Sequence, residues 1–376
     1  MDGPVLFWVQ HLLGSGHLKR VARIASVLAE SGTESVIASG GMPVATLDTG
    51  RARLVQLSPV RAGDEGFSTL VDGAGQQVGA ACLDDRRRCL ESLVRRLGAR
   101  LVVTETWPFG RRQFTPEVLG LIGAARRVRP DTVVVSSVRD ILQQPSRPER
   151  HDAMRDLAQQ HCNHVMVHGV ESFVPFGETF RHAGALSHRL VYTGYVADVP
   201  SAVSDRGPGR DEIVVSAGGG AVGRGLFEAA MAAPPYSKRA CRRRWRLLVG
   251  DSGVAPCEHQ GMVIEANRPD FPDLLRRCAV SVSQAGYNTV AELLGARARA
   301  VVAPWSGAGE TEQKERAKHL QRRRLAVVLD DAALTPRGIA RAVDEAFDLE
   351  AGDLEDISLD GARESARLVR EWQRHG

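Results

Sequence analysis

The chain has 376 residues, 43% hydrophobic and 25% charged. That is enough for two packed cores at the usual domain size, and it excludes collagen-like, disordered and disulfide-scaffold chains. The net charge of +4 is too small to point to nucleic acid, and only four of the 49 cations are lysines, an arginine bias read as codon composition. The six cysteines, Cys82, Cys89, Cys162, Cys241, Cys257 and Cys278, form no C-x-x-C pair and have no His at zinc spacing, which predicts a reducing compartment. Met1-Asp2-Gly3-Pro4 lacks the cationic start of a signal peptide, and no run approaches the ~20 apolar residues that span a bilayer. A cytoplasmic protein is expected, with association to a membrane surface left open.

The elements alternate along the chain. A strand-type run over 5–11 leads to a helical pattern over 17–30, with Val21, Ile24, Ala25 and Leu28 at helix spacing. Strands are predicted at 35–39 and 54–57, a helix at 83–97, a strand at 101–104, a helix at 116–127, a strand at 132–136, a helix at 149–161 and a strand at 165–168. The stretch 194–210, with Pro200, Gly207, Pro208 and Gly209, has no periodicity and reads as a linker. The alternation restarts with a strand at 212–216, a helix at 226–231, strands at 245–249 and 262–265, a helix at 272–277 and a strand at 280–283. A helix at 289–294, a strand at 300–303, a helix at 312–323, a strand at 326–329 and helices at 337–347 and 362–374 complete the chain. Continuous apolar strands between amphipathic helices predict parallel sheets covered on both faces. The fold class is therefore α/β, with two Rossmann-like, doubly wound domains at 1–198 and 211–350 joined by a linker at 199–210. Residues 351–376 form a C-terminal helical segment able to pack back on the first domain. Ligands in such folds bind at the carboxyl ends of strands, here expected in the cleft between the domains.

Several strand-to-helix turns carry chemistry. The first strand ends at Gly14-Ser15-Gly16-His17, where glycines permit close ligand approach and His17 can act as a base or bind a phosphate. A packing turn with a surface His explains the same residues. The missing third glycine argues against a dinucleotide site. Gly218, Gly219 and Gly220 end the restart strand and offer N–H groups to a diphosphate, or simply make a tight turn; no Gly-Lys-Ser/Thr follows, so this is not a P-loop. Gly286, Tyr287, Asn288 and Thr289 open another helix. Glu292, in its first turns, can accept hydrogen bonds from a ribose diol or complement the helix dipole. Glu312 and Gln313 start a charged helix after Pro304-Trp305. Glu105, Trp107, Arg111, Arg139, Asp140 and His168 fall at or just beyond strand ends of the first domain and are candidate acceptor residues; Trp107 suits stacking on a sugar ring or reads as partly core, and Arg139-Asp140 reads equally as a structural ion pair. No Asp-x-Asp, H-E-x-x-H or G-x-S-x-G motif occurs, so neither a metal site nor a cofactor is expected.

Together these pieces resemble the MurG-like glycosyltransferases of the GT-B fold, inverting enzymes that use nucleotide sugars, typically UDP-linked. Gly14-Ser15-Gly16-His17 is similar to that family's Gly-rich loop carrying His, Tyr192-Thr193-Gly194-Tyr195-Val196 to its inter-domain segment, and 216–220 to its second Gly-rich loop. Gly286, Thr289 and Glu292 resemble the nucleotide-binding helix, and Gln313 with Ala317 resembles the Gln-x-x-x-Ala donor motif. A closer likeness, through Val9-Gln10-His11-Leu12-Leu13-Gly14, Glu105-Thr106-Trp107-Pro108-Phe109-Gly110-Arg111, Ser137-Val138-Arg139-Asp140 and Gly286-Tyr287-Asn288-Thr289, is to a group of predicted bacterial glycosyltransferases. Tyr287 and Ala285 depart from the small and hydroxyl-bearing residues of the MurG nucleotide loop. The resemblance implies transfer of a sugar from a nucleotide-sugar donor to a small-molecule or lipid-linked acceptor, His17 serving as base and no metal taking part. A nucleotide-sugar hydrolase and a non-catalytic nucleotide-sugar-binding protein stay open as alternatives. Arg86-Arg87-Arg88 and Arg111-Arg112 are the candidates for peripheral membrane contact, although such charge runs are usually solvated faces.

Overall fold

The structure is a computed structural model and describes residues 3–64, 69–145, 147–198, 206–217, 223–250, 254, 256–259, 261–350 and 354–375. The chain divides into two compact units, 1–196 with 360–376, and 197–359.

The first unit holds strands β1 (Val5–Val9), β2 (Ser35–Ser39), β3 (Arg53–Gln56), β4 (Arg61–Ala62), β5 (Leu70–Val71), β6 (Leu101–Glu105), β7 (Val133–Arg139), β8 (His164–His168) and β9 (Leu190–Tyr192). Its helices are α1 (Gly16–Glu30), α2 (Ala80–Leu97), α3 (Thr115–Val128), α4 (Arg150–His161) and α10 (Gly361–His375). Seven strands form one parallel sheet in the order β3-β2-β1-β6-β7-β8-β9, while β4 and β5 make a separate antiparallel hairpin. The strands read as unbroken apolar runs because each covers two cores. Val5, Phe7 and Val9 of β1 pack with Leu18, Val21 and Ile24 of α1, whereas Leu6 and Trp8 pack with Leu90 of α2 and Val118 of α3.

Helix α10 joins this unit by its own apolar stripe. Ala362, Ala366 and Val369 sit in the α1 core at helix spacing, and Trp372 stacks on His164 with ring centroids 4.1 Å apart. Gly361 begins the helix against the chain at 194–195; a side chain there would place its Cβ 2.5 Å from the Gly194 carbonyl oxygen.

The second unit holds β10 (Ile213–Ser216), β11 (Trp245–Leu248), β12 (Cys257–His259), β13 (Met262–Glu265), β14 (Val280–Ser283), β15 (Ala300–Val302) and β16 (Val327–Val328). Its helices are α5 (Arg224–Met231), α6 (Phe271–Arg277), α7 (Tyr287–Ala296), α8 (Glu312–Arg322) and α9 (Pro336–Ala346). The sheet order is β12-β13-β11-β10-β14-β15-β16, parallel except for the antiparallel edge strand β12. The short strands β4, β5, β9 and β12 carry no period long enough to be read from sequence. Both units are thus doubly wound α/β, the fold class expected.

One charge run is corrected here. Arg86 is not part of a free cationic face, because α2 buries the stripe Arg86, Leu90, Leu93 and Val94. Arg86 Nε donates to Glu117 Oε2 at 2.8 Å, Nη1 to the Gly40 and Ser58 carbonyls, and Nη2 to Gln10 Oε1 at 2.7 Å, while Trp8 Nε1 donates to Glu117 Oε1 at 2.7 Å. Arg87 and Arg88 pair with Asp84 and Asp85 on the surface. The buried cluster ties α2 and α3 to the ends of β1 and β2, just before the loop that carries His17. Glu117→Ala leaves a buried guanidinium short of its carboxylate and should cost about 3–5 kcal/mol, read as a lowered urea midpoint. A loss below ~1 kcal/mol, the scale of an exposed pair, would mean that water replaces the carboxylate there.

Candidate functional site

The first sheet collects polar residues at the carboxyl end of one face. On β6, Leu101 and Val103 lie in the α1 core, so the two-residue period puts Glu105 on the same side. The same count carries Val133 and Val135 of β7 to Ser137 and Arg139, and Met166 of β8 to His168. The register sets Glu105 beside Ser137 and Arg139 beside His168. Against them stands the start of α1, entered through Gly14 at φ +62°, a left-handed conformation that glycine tolerates. His17 and Arg20 are three residues apart on α1 and share a face.

These side chains form one hydrogen-bonded line. The buried Glu105 carboxylate accepts from His17 Nδ1 (2.8 Å) and Thr106 Oγ1 (3.1 Å) on Oε1, from Ser137 Oγ (2.7 Å) on Oε2, and from Arg20. A carboxylate only accepts, so His17 carries its proton on Nδ1 and the Ser137 hydroxyl is spent as a donor. Ser137 Oγ then accepts from His168 Nε2 at 2.8 Å, which leaves His168 Nδ1 to accept from Thr193 Oγ1 at 2.8 Å. On the outer side, the His17 Nε2 lone pair receives Arg139 Nη2 at 2.6 Å. Both tautomers follow from the one carboxylate. Thr106 reaches its place through φ +69°, and Arg111 sits at φ +59°, both rare for residues with a Cβ; among the described non-glycine residues of the first unit such values occur in the loop after β6 alone.

The electrostatics keep both histidines neutral. Burial first, then the Arg139 charge, drives the His17 pKa well below 6.5 against the opposing pull of Glu105. Burial, with the Arg20 charge adding to it, drives His168 down to about 3. For Glu105 burial alone acts upward, but Arg20 and the His17 hydrogen bond outweigh it and hold the carboxyl well below the usual carboxylate range. A neutral imidazole whose Nδ1–H is fixed by a carboxylate can take a proton at Nε2.

The sequence-selected residues separate into groups. His17, Glu105, Arg139 and His168 come together. Arg111 lies near His17, its Nε donating to the Gln10 carbonyl at 2.6 Å and its charge lowering the His17 pKa. Gly14 is exposed, and Ser15 and Gly16 are half-buried beside His17. Trp107 is a correction: it is fully buried among core residues, and its Nε1 donates to Thr115 Oγ1 at 3.2 Å, so its ring is not presented to a sugar. Asp140 is also fully buried, accepting from Tyr195 OH at 2.5 Å and from the Ile141 N–H at 2.9 Å. Arg20 goes unselected in the sequence, and Thr106, Ser137 and Thr193 enter there only as members of motifs, with no role of their own. Arg20 was open to detection as a charge on the apolar face of α1, and Ser137 as the strand neighbour of Arg139.

In the second unit, Gly218, Gly219 and Gly220 lie outside the described residues. Gly286 caps α7, and the position its Cβ would take meets nothing within 4 Å. Asn288 is half-buried and Thr289 and Tyr287 are buried. Because α7 starts at Tyr287 rather than at 289, Glu292 stands in its second turn, where the helix dipole has weakened. Gln313 Oε1 accepts from the N–H groups of Ala285 and Trp305, both at 3.1 Å, and so joins the loops after β14 and β15. Glu312 accepts from the buried Arg316 at 3.1 Å, which also donates to the Ala285 carbonyl. Among the described residues, no three His, Cys, Asp or Glu side chains gather as metal ligands, and no helix is long and apolar enough to cross a membrane.

Residues 262–358 match the Glycosyltransferase family 28 C-terminal domain. No curated protein matches the chain. Among solved structures, the chain is similar to CalG4, the calicheamicin glycosyltransferase, at TM-score 0.61 and 16% identity over 100% of this chain and 94% of that one. It is similar to MurG of Acinetobacter baumannii at TM-score 0.58 and 14% identity over 100% of both chains. It is also similar to the spinosyn forosaminyltransferase SpnP at TM-score 0.59 and 15% identity over 100% and 95%. The match lays a family 28 C-terminal domain within the second unit, and the likeness to these structures gives the whole chain the GT-B fold. The likeness to solved structures lies in the backbone, since identities near 15% leave most side chains different.

The buried histidines set a pH dependence for stability. His168 protonates near pH 3 when folded and near 6.5 when unfolded. Between those values the unfolded chain binds more protons, so stability falls as pH drops from 6.5 towards 3. His168→Gln should flatten that slope by up to ~1.4 kcal/mol per pH unit, measured by urea unfolding from pH 4.5 to 7. An unchanged slope would show that His168 titrates alike in both states.

Proposed function

We propose that the chain is an inverting glycosyltransferase that moves a sugar from a nucleoside diphosphate donor, UDP favoured, to a hydroxyl or amine acceptor, with His17 as general base. The observation that carries this reading is the neutral His17 imidazole, its Nδ1–H held by the buried Glu105 carboxylate and its Nε2 left as the basic atom. In the reaction the acceptor O–H proton passes to His17 Nε2 as the acceptor oxygen bonds to the anomeric carbon. The bond from that carbon to the diphosphate oxygen breaks on the opposite face, and its electron pair leaves with the nucleotide. A single displacement of this kind inverts the anomeric centre.

Glu105 orients the base and stabilises the imidazolium as it forms, while Ser137, His168 and Thr193 hold Glu105 in turn. Arg111 and Arg139 contact the acceptor, and Asp140 and Trp107 support that loop from inside. The second unit binds the donor through Gly218–Gly220, Gly286, Asn288, Thr289 and Glu292. The first N–H groups of α7 have no partner within their helix and stabilise the leaving diphosphate in place of a metal. The family 28 match over 262–358, which spans α7 and α8, supports this division. The reaction is placed in the cytoplasm, where nucleotide sugars are found, on small-molecule or lipid-linked acceptors.

His17→Ala should lower turnover by ~10²–10⁴ while nucleotide affinity stays close to wild type. The acidic limb of the pH–rate profile, set below pH 6.5 by the lowered His17 pKa, should vanish with it. Retained turnover would make His17 a packing or phosphate-contact residue. Glu292→Ala should weaken donor binding by about 1–3 kcal/mol, read by calorimetry with UDP-sugars. Unchanged affinity in a folded variant would leave Glu292 as a solvated helix residue.

A further inference from the structure

We propose that Arg139 latches the base, and that the natural acceptor carries an anionic group, a carboxylate or phosphate, which releases it. The inference rests on the reading of His17 as base and adds the chemical class of the acceptor. Nδ1 of His17 is committed to Glu105, so Nε2 is the one atom that can take a proton. That lone pair is filled by Arg139 Nη2 at 2.6 Å, a charge-assisted hydrogen bond. While the guanidinium stays there, the base accepts nothing from a substrate.

The groups facing His17 are Glu105 of β6, Thr106 and Arg111 of the following loop, Arg20 of α1 and Arg139 of β7. Arg20 is fixed on Glu105 inside the core, whereas Arg139 is half-buried at the last position of its strand and His17 keeps 12% of its side-chain exposure. The outer contact is therefore the one a ligand can reach. A neutral acceptor offers the guanidinium nothing that matches the bond it would give up. A carboxylate or phosphate offers two parallel N–H···O bonds, the pairing a guanidinium fork fits best. Such an anion close to the nucleophilic hydroxyl draws Arg139 outward and leaves Nε2 facing that hydroxyl. The latch also spares the donor: with no acceptor bound, Nε2 is not free to activate water.

The test uses the full chain, labelled with ¹⁵N-histidine, without donor or turnover. Nε2 and Nδ1 signals of His17 are followed against pH in wild type and in Arg139→Gln, and then with inorganic phosphate, UDP or chloride added. Loss of the cation and of the Nε2 donor should raise the His17 midpoint by about one pH unit in Arg139→Gln. Phosphate should shift the wild-type Nε2 signal saturably, chloride and UDP should not, and the phosphate response should be absent from Arg139→Gln. An unchanged midpoint, or an equal phosphate response in both proteins, overturns the latch. A UDP response as large as that of phosphate overturns the acceptor assignment, since the donor would then release the base. If Arg139→Gln does not fold, Arg139→Lys serves: it keeps the charge, loses the fork and should lose most of the phosphate response, and a full response overturns the proposal. Retained turnover in His17→Ala would sink the base reading while leaving these signals interpretable, so the two failures are distinct.

Discussion

The candidate site of the first unit is organised around one buried carboxylate, Glu105. An ionised Glu in a protein interior is costly unless its lone pairs are filled, and Glu105 is filled by Arg20, His17, Thr106 and Ser137. Being an acceptor only, it sets the direction of every hydrogen bond attached to it. The proton of His17 must lie on Nδ1, the Ser137 hydroxyl must point at Glu105, and His168 must give its Nε2 proton to Ser137. One charge in one place thus decides the protonation of two histidines and which nitrogen of His17 is basic.

That charge can stand where it does because the sheet is parallel and covered on both faces. Parallel strands end together, and their last residues, rather than their hydrophobic middles, carry the polar groups: Glu105, Ser137, Arg139 and His168. The α1 face holds this polar set at its carboxyl end and ordinary apolar packing below it. The α2–α3 face has a separate anchor in Arg86 and Glu117, which grips Gln10 and Gly40 and so fixes where β1 stops. Two buried ion pairs on opposite faces therefore hold the loop from Gln10 to His17, one at its root and one at its tip.

The second unit uses the same device with different chemistry. Gln313 and Arg316 reach from α8 to both backbone groups of Ala285, and Gln313 also takes the Trp305 N–H, so the loops after β14 and β15 are tied by side chains of the next helix. The loop that opens α7 is held from behind, and the space beside Gly286 is left open.

Much of the fold was legible in the sequence because unbroken apolar runs and helical stripes are local patterns that parallel sheets require. The alternation of strands and helices and the glycines before His17 could be read along the chain, as could the strand-end places of Glu105, Arg139 and His168. The short strands β4, β5, β9 and β12 could not, since two or three residues carry no period. Nor could the sequence tell Trp107 and Asp140, which turn inward, from Arg139, which turns to His17: neighbours along a chain that leaves its strand have no fixed face. Arg86 looked like one of three surface charges, and only the packing of α2 on α3 made it a buried anchor. The sequence by itself determined which residues end the strands. The tertiary structure decided which of them meet, because hydrogen-bond direction and charge at Glu105 arise only when β6, β7, β8 and α1, far apart in the chain, are brought within 3 Å of one another.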